Sequence, residues 1–210
     1  MNKHSFVSRS LAVLAACVLI APAAANATPY VVTLTQQGSN IVAAGSGSFD
    51  LTGLTFEYTT VSVAADMEPD TAYIGNGPTT FITDIDAYGG FTGPTSFGIG
   101  TGGYAATGSG DWVGIWGSSA IYGAPTFWVP SGYVSGTPLS NSAIYDSASF
   151  ASLGLTPGTY VWTWGTGAEQ SFTLQIGNAV GVPEPAALGT FGLGLLLIGG
   201  FMGLRRRTAQ

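Results

Sequence analysis

GTYVWTWGTGAEQSFTLQI, residues 158–176, decides the fold class. In its first arm Tyr160, Trp162 and Trp164 alternate with Val161 and Thr163, and in its second Phe172, Leu174 and Ile176 alternate with Thr173 and Gln175. Side chains two apart on an extended chain share a face. Each arm therefore puts its largest apolar residues on one side, and residues 165–170 supply the turn between them. The expectation is a β-hairpin with one strongly apolar face.

Upstream, the same texture continues as far as residue 28, with short apolar runs rich in Thr, Ser, Val and aromatics, punctuated by Gly and Pro. Strands are expected over 30–36, 47–51, 54–63, 80–87, 112–116, 126–130 and 142–150. The Gly-rich stretch 89–110 reads as loop with one short strand. Before residue 186 there is no helical periodicity with caps over ten or more residues. The prediction is an all-β exported domain of β-sandwich or jelly-roll type over 28–177. One internal echo, FDLTGLT at 49–55 against FASLGLT at 150–156, does not make a repeat array.

Charge in this region is one-sided. Ten acids fall between residues 28 and 182, and all five basic residues and the single histidine lie outside it. A domain without His, Cys or Lys cannot assemble a Ser-His-Asp or Cys-His arrangement, a Schiff base, or a His- or Cys-ligated zinc site. Lacking Lys and Arg, it offers no side-chain clamp for phosphate, and nucleic acid would meet only negative charge. A two-carboxylate glycosidase scheme survives the inventory, but ten acids guarantee some neighbouring pair, and no catalytic residue is assigned. The expectation is a protein that is not an enzyme.

Two residue sets invite a binding reading. Trp112, Trp116, Trp128, Trp162 and Trp164 could stack sugar rings, although aromatics at period-two spacing commonly fill a core. Asp66, Glu68 and Asp70 alternate, as do Asp84 and Asp86, and such hard oxygen ligands in an acidic domain suit Ca²⁺. Neither acidic run matches a calcium-loop consensus, and solvated acids account for both. No other cofactor is implied.

Both ends read as targeting. Lys3, His4 and Arg9 precede an uncharged apolar run over 11–20, and small residues follow up to Ala25 and Ala27. This is the order of a secretory signal peptide over 1–27, with Ala25 and Ala27 at the positions a signal peptidase reads. Ala23 and Ala25 offer a second cut. Leu14-Ala15-Ala16-Cys17 resembles a lipobox, but the apolar run continues past Cys17.

At the other end Val182, Pro183, Glu184 and Pro185 close a linker over 178–185. A run of 19 uncharged residues over 186–204 follows, then Arg205, Arg206 and Arg207 within the basic tail 205–210. As a helix the run would span roughly 28 Å, about the hydrocarbon thickness of a bilayer. The arginines favour the cytoplasmic side, which leaves the β-domain outside the inner membrane. Pro183 and Pro185 keep Glu184 in extended, accessible backbone.

Taken together, the Pro-Glu-Pro motif, apolar helix and arginine cluster resemble the PEP-CTERM sorting signal of exopolysaccharide-producing bacteria. The resemblance covers 182–210. It implies that an exosortase-type processing enzyme reads Pro183, Glu184 and Pro185. It further implies a single-pass membrane intermediate bound for the cell surface or extracellular space. The expected function is a structural or adhesive component associated with exopolysaccharide or biofilm, with a lectin-like carbohydrate-binding module, calcium-assisted or not, as the alternative.

Overall fold

The computed structural model describes residues 28–81, 83–118 and 125–177. In chain order the strands are β1 (Tyr30–Gln37), β2 (Asn40–Gly47), β3 (Thr55–Val61), β4 (Asp66–Glu68), β5 (Tyr73–Asn76), β6 (Asp84–Gly89) and β7 (Gly103–Tyr104). They continue with β8 (Thr107–Gly110), β9 (Val113–Trp116), β10 (Thr126–Pro130), β11 (Leu139–Tyr145), β12 (Gly158–Thr163) and β13 (Ser171–Ile176). One 3-10 turn, Pro69–Thr71, joins β4 to β5, and there is no α-helix among the described residues. The described residues are all-β, as the alternation predicts.

Two sheets result. One runs β12-β13-β1-β2-β11-β8 and the other β3-β6-β10-β9-β5-β4-β7. All ladders are antiparallel except β1 with β13, which run side by side in the same direction, Tyr30 opposite Phe172 and Leu34 opposite Ile176. The expected hairpin is present, with Trp162 opposite Phe172 and Tyr160 opposite Leu174. Its apolar face is buried: Trp162, Phe172 and Leu174 are fully enclosed, and Trp164 and Ile176 nearly so.

The core between the sheets is built on Phe49. Its ring lies 4.6 Å from Tyr30, 4.8 Å from Phe127 and 5.9 Å from Trp164. Both hairpin indoles satisfy their N–H inside this layer, Trp162 donating to the Pro94 carbonyl at 2.8 Å and Trp164 to that of Asp50 at 2.7 Å. These two tryptophans are core residues with paired polar atoms.

A polar bridge also crosses the layer. Asn141 on β11 accepts from the Tyr30 hydroxyl (2.9 Å) and from Asn76 Nδ2 on β5 (2.6 Å), and donates to the carbonyls of Asn76 and Asp111. Gly45, opposite Asn141 in the register, leaves the room: a β-carbon there would strike Asn141 Oδ1 and the Tyr30 hydroxyl. Burial removes water from Tyr30 and raises its pKa.

Several boundaries differ from the sequence reading. The strand expected at 47–51 lies earlier, as β2, and residues 49–51 leave the sheet toward a turn closed by Leu54 N to Leu51 O. The segment expected at 142–150 begins at Leu139 and stops at Tyr145, where Ser147 takes a φ of 51°. The 89–110 stretch holds two short strands rather than one, and β4 and β5 were not anticipated.

Candidate functional site

The outer faces of the two sheets differ in kind. On the six-stranded sheet the outward positions are mostly short and polar, among them Thr33, Thr35, Ser46, Ser142 and Thr173, with Val31, Val42, Ile144 and Val161 between them and no aromatic ring among these. A solvated sheet face looks like this.

On the seven-stranded sheet the outward face is aromatic. One cross-strand row takes a residue from every strand: Tyr104 opposite Asp66, Asp66 opposite Gly75, Gly75 opposite Gly114. It continues with Gly114 opposite Trp128, Trp128 opposite Ala87, and Ala87 opposite Tyr58. Directly opposed residues share a face, so these seven stand together. The adjacent row brings Glu68 opposite Tyr73, Tyr73 opposite Trp116, and Trp116 opposite Thr126.

Between the rows lies a groove of about 210 Å³. Its aromatic walls are Trp112, Trp116, Trp128, Tyr73 and Tyr58, and Asp66, Glu68 and Tyr104 stand at one end. At the opposite side Thr60, Val61, Val63, Phe81 and Ile85 complete it. Val61, Val63, Phe81 and Tyr104 are exposed large side chains, unlike the core aromatics. Of the lining residues, Tyr73, Ile85, Trp112 and Trp128 are buried and, with Ala87, form a second cluster separate from the inter-sheet core.

Glycine lies beneath the Trp112 ring. The Trp112 indole lies over the paired Gly75 and Gly114, where an added β-carbon would come within 2.7 Å and 2.6 Å of its ring. Trp112, just before β9, shares a face of the extended chain with Gly114 and Trp116, and the glycine leaves the space that the Trp112 ring fills. Tyr73 packs 5.2 Å from Trp116, and Trp112 meets Trp128 edge to face at 6.4 Å.

The buried Asp66 carboxyl and Trp112 indole in this lining each carry an unanswered polar atom. Asp66 Oδ1 has no donor and Trp112 Nε1 no acceptor among the described residues, and Asp66 is only 9 % and Trp112 2 % exposed. Burial pushes the Asp66 carboxyl up to about 7, a Tyr73 hydrogen bond opposes that shift, and the Glu68 charge adds to it. Tyr73 is itself raised, first by burial and then by the charge of Asp66. Glu68 accepts a 3.3 Å bond from Thr71 Oγ1.

The acids predicted as a calcium set separate into different environments. Asp66 and Glu68 share the groove, whereas Asp70 is exposed in the 3-10 turn. On β6, Ile85 faces the groove, so Asp84 and Asp86 point away from it. Asp84 is exposed. Asp86 is buried under Thr59 Oγ1 (2.7 Å), Ser131 Oγ (2.9 Å) and the Gly132 N–H (2.8 Å). Burial raises its pKa, but those donors together outweigh burial and hold it below the ordinary value. It is a structural carboxylate that ties β3 to the turn after β10. Among the described residues no three His, Cys, Asp or Glu side chains converge to hold a metal.

Of the five predicted tryptophans, Trp112, Trp116 and Trp128 meet at the groove and Trp162 and Trp164 do not. Sequence reading missed Tyr58, Tyr73 and Tyr104. The alternation of Tyr58 with Thr60 on β3 carried a signal for the first, but Tyr73 and Tyr104 lie on strands too short to show a period. Ala25, Ala27, Val182, Pro183, Glu184, Pro185, Arg205, Arg206 and Arg207, with the expected span 186–204, lie outside the described residues. No helix of the described residues is long and apolar enough to cross a membrane. No protein-family model, no curated protein and no solved structure matches the chain.

Proposed function

We propose that this is an exported cell-surface or matrix protein whose β-sandwich holds extracellular polysaccharide, without catalysis, in the aromatic groove of its seven-stranded sheet. The observation that carries the reading is that Trp112, Trp116 and Trp128 line a groove on the outer face of a sheet and lie outside the inter-sheet core. Flat indoles stack on the apolar faces of sugar rings, and the few polar atoms among them fix orientation.

The ends of the chain support the setting. A signal peptide over 1–27 and a PEP-CTERM-like tail read at Pro183, Glu184 and Pro185 would deliver the domain, through an exosortase-type enzyme in the inner membrane, to the compartment where exopolysaccharide is found.

The test has two arms. The purified full chain is applied to a glycan array together with Trp116→Ala and Trp128→Ala, and silence of the wild-type chain overturns the binding reading. Mass spectrometry of the mature C-terminus, with and without the host exosortase, tests delivery: an identical, uncut terminus in both removes the sorting reading.

A further inference from the structure

The groove has a chemical polarity that stacking does not use. At one end Asp66 is nine-tenths buried, with Oδ1 lacking any donor, and Glu68 stands two residues along on the same face. A buried carboxylate without a compensating charge is costly. In most proteins a Lys or Arg supplies that charge. Here none can, because residues 28–182 contain no basic side chain at all. Without a ligand the carboxyl can only take up a proton, and a positive partner for its ionised form has to arrive with the ligand.

The walls narrow the kind of cation. Calcium takes about six to eight oxygen ligands, but beyond the two carboxylates the groove is lined mainly by rings, with Tyr73 hydrogen-bonded to Asp66, Tyr104 opposite it, and Trp112 and Trp116 in the same lining. Indole and phenol faces attract an organic cation through their quadrupole and do not ligate a hard metal ion. A carboxylate pair facing several aromatic rings is the chemistry that recognises an ammonium.

Resting on the glycan reading above, we infer that the Asp66–Glu68 end of the groove binds an ammonium group and that the preferred ligand is an amino sugar with free amines. Ammonium binding favours the ionised carboxylate. Affinity is therefore linked to the proton on Asp66, which is faced by Glu68 from its own strand, Tyr73 from β5, Tyr104 from β7 and Tyr145 from β11.

Calorimetric titration of the full chain with glucosamine oligomers, their N-acetylated counterparts and glucose oligomers of equal length decides the matter. The expected result is at least a tenfold preference for the free-amine oligomer, the equivalent of about 1.4 kcal/mol. Asp66→Asn, which keeps the shape, abolishes that preference, so that the three oligomers bind it alike, and Glu68→Gln lowers the preference in part. With N-trimethylated glucosamine oligomers, whose charge does not titrate, affinity rises as pH goes from about 5 to about 8. Equal binding of all three oligomers overturns the ammonium inference and leaves the glycan groove standing. No binding of any oligomer overturns both. A calcium-dependent rise in melting temperature that Asp66→Asn removes, or release of reducing ends from any oligomer, reassigns the carboxylate pair and equally overturns the inference.

Discussion

The indole of Trp112 rests on Gly75, so closely that a β-carbon at Gly75 would lie 2.7 Å from Cζ2. The contact is steric, and Gly75 is not among the residues with positive φ. Replacing Gly75 by alanine leaves the backbone at ease and displaces the ring. We expect Gly75→Ala to cost about 1–3 kcal/mol by overpacking and to alter tryptophan fluorescence in the folded state. An unchanged urea midpoint and emission spectrum would show that the ring does not lie there.

Asn141 and Asn76 make the inter-sheet polar bridge, and the consequence of cutting it is lopsided. Asn141→Leu strands the Tyr30 hydroxyl and the Asn76 amide in the core. The expected loss is roughly 2–4 kcal/mol, since each buried group left unpaired costs about 1–3 kcal/mol. Ser142→Ala, one residue along and outward, should change stability by less than about 0.5 kcal/mol. Urea denaturation of the two variants compares them directly.

The five tryptophans should divide into two behaviours. Trp162→Ala and Trp164→Ala empty the inter-sheet core, at an expected cost of about 3–5 kcal/mol. Trp116→Ala, at a half-exposed groove wall, should cost clearly less and act on glycan affinity instead. A melting-temperature series paired with titration reads both. If Trp116→Ala unfolds the chain as Trp162→Ala does, the groove is core and not surface.

Asp66 gives stability a pH signature of unusual sign. Its folded pKa lies near 7, above the ordinary unfolded value of about 3.9, so the native state binds the extra proton between those limits. Unfolding free energy should therefore fall as pH rises from about 4 to about 7, by at most about 1.4 kcal/mol per pH unit, and then level off. Asp66→Asn should remove that slope and be the more stable form at pH 8. Denaturation midpoints measured across this range check it, and a slope that survives in the variant excludes Asp66 as its source.

What the sequence showed, and where it fell short, follows from where burial is one-sided. The 158–176 hairpin was legible because β12 and β13 bury only one face, which writes the period of two into the residues. β10 is legible at both ends for a different reason: Gly123 and Pro125 precede Thr126 in the sequence, and Ser131-Gly132 follows Pro130. β2 was missed because Ala43, Ala44 and Gly45 have little strand preference of their own. Their placement comes from the turn at Gly38, with φ of 60°, and from pairing with β1. For the groove, the tryptophans and acids were visible as types. Their convergence was not, since the row from Tyr104 to Tyr58 exists only through the register of seven strands.

The parallel pairing of β1 with β13 bears on mechanics. Strand β13 is the last described element and lies inside its sheet, laced to β12 on one side and β1 on the other. Tension on the chain beyond Gly177, opposed by a polymer gripped in the groove, loads these two ladders lengthwise. Ladder bonds lie across the strand, so such a pull must shear many at once and cannot unzip them singly. A molecule joined to its surroundings through these two points would resist extension first at β13, and force spectroscopy applied from that end should register one high rupture peak instead of a gradual peeling.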